Sequence, residues 1–224
     1  MDHTSSFDDL VRARRSVRQF LSTPLSSAQI DAVLADAQRS PSNCNTQPWM
    51  VHIVSGATKA ALTATLKAHA SKQHFSPDFS WDETAFPDVL DERRREQGKT
   101  YYESLGIARN DAAGRQAGLL KNLEFFGAPH AAFLFMRPVG DNVRVAADLG
   151  MYAQTFLLSL AARGYAGIPQ TVLGLFSDPV RATLDLREDM KLLFGISFGF
   201  AGPDAMAAPY MPRAPLGDSV VRHG

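Results

Sequence analysis

The chain has few residues that could form a disulfide or a metal centre. Its 224 residues include a single cysteine, Cys44, which excludes an intrachain disulfide and a cysteine-based metal cluster. The six histidines are scattered without the spacing of metal ligands, so we expect no metal. Sparse cysteine is typical of a reducing compartment, and we therefore expect a cytoplasmic protein.

Net charge is also missing, because 23 basic residues balance 23 acidic ones. A neutral chain has no excess field that would recruit nucleic acid or an anionic membrane. The first residues lack the cationic start and apolar run of a signal peptide. The longest apolar stretch, 149–162, is predicted to be too short to cross a bilayer. We expect neither a nucleic-acid nor a membrane partner.

Several nucleotide-binding and hydrolytic motifs are absent as well. There is no Walker A, HExxH or GxSxG sequence. Gly195, Gly199 and Gly202 do not have GxGxxG spacing, and no helix is predicted after them, which argues against a Rossmann dinucleotide site. What remains is an ordinary composition, 45% hydrophobic and 21% charged, sufficient for one good core.

Residues 40–49 form an unusually polar segment, SPSNCNTQPW, that runs into the apolar MVHIV. Its small polar side chains and two prolines disfavour a helix or a central strand, so a fixed loop is predicted. The loop offers many hydrogen-bonding groups to a neighbour. Taken alone, it is as consistent with a simple helix-to-strand turn as with a binding site.

A compact basic run, RRSVRQF, occupies residues 14–20. Guanidinium groups bind phosphate oxygens in a bidentate way, so three arginines around a serine suit a phosphate. Basic clusters are more often solvated surfaces or nucleic-acid patches. Here, however, the charge is confined to one short run in a neutral chain.

Together, the RRSxR run, the PSNxNTQPW loop and the later GYAGIPQ segment resemble the FMN-dependent nitroreductase family. The charged insert at about 74–109 resembles the nitrobenzoate-reductase-like branch. The resemblance implies an α+β fold: a nitroreductase-like α/β/α sandwich with a central, mainly antiparallel sheet flanked by helices, in an intertwined homodimer. It also implies a single domain over 1–224, with that insert and a C-terminal tail at about 203–224.

The same resemblance implies an FMN site built from three segments and the tail. The FMN phosphate and ribityl chain would be held by Arg14, Arg15, Ser16 and Arg18, with Arg213. The flavin bound by the partner chain would be contacted by Pro41, Ser42, Asn43, Asn45 and Gln47. The isoalloxazine ring would be lined by Pro169, Gln170 and Thr171. Arg213 is also compatible with an ordinary exposed arginine, and Gln170 with a turn cap. Met211 departs from the family, in which many members carry a lysine there, so the tail brings no lysine to the phosphate.

Four aromatic residues of an irregular flap, 74–87, are candidate walls for an aromatic substrate: Phe75, Phe79, Trp81 and Phe86. Packing of the dimer is an equally good explanation of these side chains. The neighbouring arginines 93–95 are interpreted as a solvated helix face.

The function implied by the resemblance is reduction of nitroaromatic compounds, nitrobenzoate-like ones among them, or of quinones. NADH or NADPH would be the electron donor, in a ping-pong mechanism over one shared flavin face. Hydride transfer through a flavin needs no protein acid or nucleophile, so no catalytic side chain is predicted. Two alternatives stay open: a flavin-binding or storage protein with little turnover, and a flavin-dependent dehydrogenase or flavin-fragmenting enzyme.

Hydrophobic periodicity and breakers give the elements. A capping box at Ser26–Gln29 should start a helix that ends near Arg39. Further helices are predicted at 57–70, 88–102, 108–125, 141–162 and 178–184, strands at 50–54, 131–136 and 191–200, and a loop at 164–171.

Overall fold

The structure is a computed structural model that describes residues 6–205 and 209–224. Within these residues the helices are α1 Phe7–Ala13, α2 Ser27–Ala37, α3 Gly56–Ser71, α4 Asp88–Ser104, α5 Ala112–Leu123, α6 Val143–Ala162 and α7 Ser177–Thr183. The strands are β1 Trp49–Ser55, β2 His130–Met136, β3 Ala166–Gln170 and β4 Lys191–Gly199.

The four strands form one sheet in the order β1-β2-β4-β3, and every neighbouring pair is antiparallel. The predicted α+β fold with an antiparallel sheet is therefore confirmed. β1 and β3 are the two edges. This order matters for function, because the polar loop precedes β1 whereas the basic run lies beside β3.

The central strand β2 is buried along its whole length, as its continuous apolar run predicted. Its alternate side chains enter two different cores. Phe133 and Phe135 pack in the core that contains α3 residues such as Leu62, while Leu134 packs in the core that contains α6 residues such as Leu149. Since successive strand residues point to opposite faces, helices cover both sides of the sheet. The result is an α/β/α sandwich.

The long helix α6 is the main helix of the second core. It is 20 residues long and apolar enough to span a membrane by length and composition alone, because it begins six residues before the stretch 149–162 that was predicted to be too short. Half of it is buried inside the protein, where Leu149, Phe156 and Leu160 are fully covered or nearly so. A core helix of this kind passes a simple hydropathy test because it is rich in apolar side chains, which here pack against the sheet and not against lipid.

Helix α2 begins where the capping box predicted. Ser26 Oγ accepts a hydrogen bond from the Gln29 backbone N–H at 3.3 Å, and Gln29 Oε1 accepts one from the Ser26 N–H at 2.8 Å. The reciprocal pair satisfies two of the free N–H groups at the helix start. Helix α2 then packs against α6 and delivers the chain into the polar loop.

The predicted loop at 164–171 was wrong in part, because Ala166–Gln170 pairs with β4 as an edge strand. Gly167 O accepts a hydrogen bond from the Val17 N–H at 3.4 Å, so that residue faces outward. Alternation places the nitrogen of Pro169 outward as well, where the missing N–H costs no sheet hydrogen bond. Gly167 packs closely on α6, because a Cβ would lie 2.8 Å from Leu160 Cδ1 and that side chain would have to shift.

Candidate active site

The basic run and the tail form one cationic pocket beside β3. A cavity of about 540 Å³ is lined by Arg14, Arg15, Ser16, Arg18 and Arg213, among others. Ser16 forms a parallel bridge to Gly167, which fixes the run against the sheet edge. The four arginines predicted from the sequence as one group are therefore brought together by the fold.

Electrostatics in the cationic pocket favour an anion. Burial lowers the pKa of Arg14, and the nearby charge of Arg213 lowers it further. Burial also lowers the pKa of Arg18. Among the salt bridges of the described residues, none involves Arg14, Arg18 or Arg213. Like charges partly removed from water are stabilised by a shared anion.

Two tyrosine rings support the guanidinium groups, and sequence reasoning missed both. The Arg18 guanidinium lies 4.6 Å from the centroid of the Tyr101 ring of α4, and that of Arg15 lies 3.6 Å from the Tyr210 ring of the tail. Such contacts are cation–π interactions that also orient the planar fork. A tyrosine pair, 101–102, at the end of an otherwise charged helix was the available signal.

One side chain that the tail contributes to the cationic pocket is Met211, at the position where many members of the family carry a lysine. Met211 lines the pocket and brings no charge. Its carbonyl oxygen accepts a hydrogen bond from Arg213 Nη1 at 2.9 Å, and Pro212 O accepts one at 3.1 Å. The tail therefore presents one guanidinium group, held by its own backbone.

The polar loop is held in an unusual backbone conformation. Cys44, Asn45 and Gln47 all have positive φ angles, 51°, 55° and 48°. The turn is closed by a 2.9 Å hydrogen bond from the Gln47 N–H to Ser42 Oγ. Gln47 Nε2 also donates to Asn45 Oδ1 at 3.3 Å. Non-glycine residues adopt this region only where surrounding contacts hold them there, so the loop is preorganised and not a passive turn.

Helix α6 supplies those contacts through one face. Asp148 Oδ1 accepts a hydrogen bond from the Asn43 N–H at 3.0 Å. One and two turns further along, the Tyr152 ring packs against Trp49 at 5.0 Å and the Thr155 hydroxyl bonds Ser40 Oγ at 2.8 Å. Asp148 is 2% exposed, and its Oδ2 has no hydrogen-bond partner among the described residues.

Most of the polar loop faces solvent in the single chain. Pro41, Asn43, Asn45 and Gln47 are exposed and Ser42 is half-buried, and none of them lines the cationic pocket. One chain therefore does not bring the two predicted halves of the site together.

The β3 segment joins the cationic pocket to a second cavity. Pro169 and Thr171 are exposed, whereas Gln170 is buried. Gln170 Nε2 donates to Asn122 O at 3.0 Å, and its Oε1 accepts from Ser197 Oγ. The Gln170 side chain is thus committed to the interior, and at this residue only backbone groups are available to a ligand.

The second, apolar cavity, about 560 Å³, lies at the end of β3. Two of the four predicted flap aromatics, Phe75 and Trp81, line it together with Thr171. The other two do not: Phe79 packs against the α6 core, and Phe86 contacts the Trp81 ring edge-on at 5.7 Å.

The flap is anchored by a buried ion pair that the sequence did not reveal. Arg181 of α7 contacts Asp78 at 2.5 Å, with side chains 10% and 5% exposed. Asp78 also accepts from the Leu192 N–H at 2.7 Å. Ser76 and Phe176 form a parallel bridge next to it. These contacts hold Phe75 at the cavity wall.

Among residues 6–205 and 209–224, no group of three or more His, Cys, Asp or Glu side chains could hold a metal ion. Several of the described histidines make other contacts. Buried His130, for example, accepts a hydrogen bond from the Leu25 N–H at 2.8 Å.

Comparison with known proteins places the chain in a family. The model of the nitroreductase family matches residues 11–200. The chain is 40% identical over 220 residues to nitroreductase NfnB of Mycolicibacterium smegmatis, covering 98% of this chain and 93% of that one. It is 34% identical over 218 residues to a 4-nitrobenzoate reductase of Pseudomonas putida, covering 94% and 92%.

The fold matches a solved structure equally well. The FMN-dependent nitroreductase NfnB from Mycobacterium smegmatis, in complex with NADPH, superposes with a TM-score of 0.92 at 39% identity, and 97% of each chain is covered. The chain belongs to the nitroreductase family.

Proposed function

We propose that this protein is an FMN-dependent nitroreductase that uses NADPH or NADH to reduce nitroaromatic compounds or quinones. The observation that carries the proposal is the arrangement along β3. The cationic pocket lies at the Gly167 bridge, and the apolar cavity begins at Thr171. Four residues of extended strand separate them by about 13 Å. One edge of the sheet thus offers an anion site and an aromatic site to one elongated ligand.

The residues present fit FMN. Its phosphate carries about two negative charges at neutral pH, and the pocket gathers the half-buried Arg14, Arg15 and Arg18 with Arg213 of the tail. Ser16 adds a hydroxyl in the same wall. The backbone of Pro169, Gln170 and Thr171 lies along the path to the apolar cavity and would contact the ring. Bound FMN would supply hydride transfer between the nicotinamide and the substrate.

The chain's own residues would bind the cofactor and orient the substrate. The arginines hold the phosphate end, and the flap aromatics Phe75 and Trp81 form an apolar wall that limits water at the substrate.

Topology supports a homodimer in which each site uses both chains. The strand pairs place Gly167 of β3 level with Ser55 of β1, on opposite edges of the sheet. The polar loop ends at Trp49, which lies six residues before Ser55 along β1. With three strand spacings across the sheet, the basic run and the polar loop of one chain are about 25 Å apart. One FMN cannot contact both, so Pro41, Ser42, Asn43, Asn45 and Gln47 would reach the flavin of the partner.

Exposed apolar side chains on three elements suit the same interface. They are Phe7 and Val11 of α1, Met50 of β1, and Val143 and Met151 of α6, exposed by 39% to 70%. Covering such side chains is the usual role of a subunit contact. We further propose a single domain over 1–224, with its insert at 74–109 and tail at 203–224, located in the cytoplasm and without nucleic-acid or membrane partners.

The test is anaerobic reduction of the purified protein. We expect a yellow protein whose flavin absorbance is lost on adding NADPH or NADH and returns on adding nitrobenzene or a quinone. Retained colour without bleaching would indicate a flavin-binding protein with little turnover. A colourless protein that does not bind added FMN would contradict the proposal.

Steady-state kinetics test the shared site. The apolar cavity adjoins Thr171, and we propose that nicotinamide and nitroaromatic occupy it in turn. Double-reciprocal plots at several fixed nitroaromatic concentrations should therefore give parallel lines. Intersecting lines would require a separate nicotinamide site.

A further inference from the structure

The apolar cavity has an acidic rim and, among its described lining residues, no basic side chain. Its polar groups include the carboxylates of Asp82 and Glu83 and the uncharged side chains of Gln116 and Thr171. The rest of the lining is mainly aromatic or aliphatic. The ionic character of this wall is therefore purely negative.

Asp82 stays ionised at neutral pH. Hydrogen bonds from the Thr84 hydroxyl, at 2.7 Å, and the Thr84 backbone N–H, at 2.8 Å, lower the pKa of its carboxyl. Both donors are neutral, so they fix the carboxylate without cancelling its charge.

Glu83 has a cationic neighbour, Arg94, which also forms a salt bridge with Asp91. Arg94 contacts Glu83 at 3.2 Å and Asp91 at 2.8 Å. Asp91 also pairs with Arg95 at 2.6 Å. Two carboxylates and two guanidinium groups thus form one network, in which neither arginine lines the cavity.

From this wall we infer that the cavity selects uncharged nitroaromatic substrates over those that carry a carboxylate. The inference rests on the proposed function and narrows its substrate class. A carboxylate would leave water for an apolar wall, meet two like charges at the rim, and find no cation among the lining residues of this chain. Specificity of this kind comes from disfavouring the wrong ligand.

The experiment uses 4-nitrobenzamide and 4-nitrobenzoate, which have nearly the same shape and differ in charge. With the FMN-loaded protein, we expect kcat/KM to be several-fold higher for the amide, because the apolar wall disfavours a carboxylate while the exposed rim charges repel it through screening water. The two compounds also differ in intrinsic reactivity, so the ratio must be compared between variants.

Three variants make that comparison. Asp82→Asn with Glu83→Gln removes both charges while keeping side-chain size, and Gln116→Lys adds a cation to the wall; both should lower the amide-to-acid ratio several-fold. Glu92→Gln, which removes an exposed charge of α4 outside the cavity lining, should leave the ratio unchanged. A ratio that is the same in all of these proteins would overturn the inference.

A binding measurement separates this inference from the proposed function. Benzamide and benzoate cannot be reduced, and either one in the cavity should quench the fluorescence of Trp81, with Trp81→Phe as the control. Weaker quenching by benzoate supports the selectivity even if no nitro compound is reduced. Equal or tighter benzoate binding contradicts it even if the enzyme is active.

Discussion

The cationic pocket and the apolar cavity lie at opposite ends of β3 and are built in different ways. The pocket takes most of its charge from one run, residues 14–18, with one further arginine from the tail. The cavity takes its wall from short pieces spread between Ala70 and Phe176. A cluster of charge is visible in a sequence because it is rare in a neutral chain. Apolar side chains are common everywhere, so only the folded chain shows which of them line a cavity.

The largest effect that distinguishes the cavity from the cationic pocket is expected when the Arg181–Asp78 ion pair, which anchors the flap, is broken. Arg181→Leu removes the buried cation of Asp78 and leaves it only Lys191, whose Nζ lies 3.3 Å away and whose side chain is 35% exposed, so the free energy of unfolding should fall by about 3 kcal/mol. Urea denaturation measures this loss. Arg187→Leu is the matched control, because its ion pair with Asp189 is exposed and should contribute less than about 1 kcal/mol. Equal losses in both variants would show that Asp78 does not depend on Arg181.

The Arg181–Asp78 ion pair also predicts that the stability of the fold decreases at acidic pH. Burial raises the pKa of Asp78, but hydrogen bonds from Arg181, the Leu192 N–H and Ser177 outweigh it, and the net pKa is lowered from 3.8. A carboxyl with a lowered folded-state pKa stabilises the fold fully above its unfolded value, and this contribution is lost as pH falls through the folded value. Wild type should therefore lose more stability than Arg181→Leu as the pH falls below 3.8.

The complementary change acts on the cationic pocket and spares the cavity. Arg18→Ala removes a charge-assisted contact and should weaken FMN binding by about 1.5–3 kcal/mol, or about ten- to a hundredfold. Titration of the apoprotein, followed by flavin fluorescence, measures the affinity. Arg12→Ala is the control, since that side chain is 76% exposed and pairs with Asp8. Unchanged affinity in Arg18→Ala would place the phosphate site elsewhere.

A smaller effect tests whether the insert reaches the pocket through Tyr101. Tyr101→Leu removes the ring beside Arg18 and should weaken FMN binding by about 0.5–1 kcal/mol, or about two- to fivefold. Tyr101→Phe keeps the ring face and should bind FMN nearly as wild type does. If the two variants behave alike, the ring does not support Arg18.

Local patterns predicted much of the fold. The Ser26–Gln29 capping box, the apolar run of β2 and the stripe of α6 were each correct in kind, because they depend on hydrogen bonds and burial within one element. The segment 164–171 was wrong in part: glycine and proline favour a loop by propensity, yet pairing with β4 makes Ala166–Gln170 an edge strand. The roles given to the site residues remain predictions.

By itself the sequence determined which groups are available: a run of guanidinium groups, a polar loop that cannot become a helix or central strand, and a family resemblance carried by both. Only the tertiary structure decided how they are placed. Strand order puts the polar loop at one sheet edge and the basic run at the other, brings Tyr101 onto Arg18, and pairs Asp78 with Arg181. These contacts join residues far apart in the chain, and their existence depends on strand pairing and helix packing that no local pattern encodes.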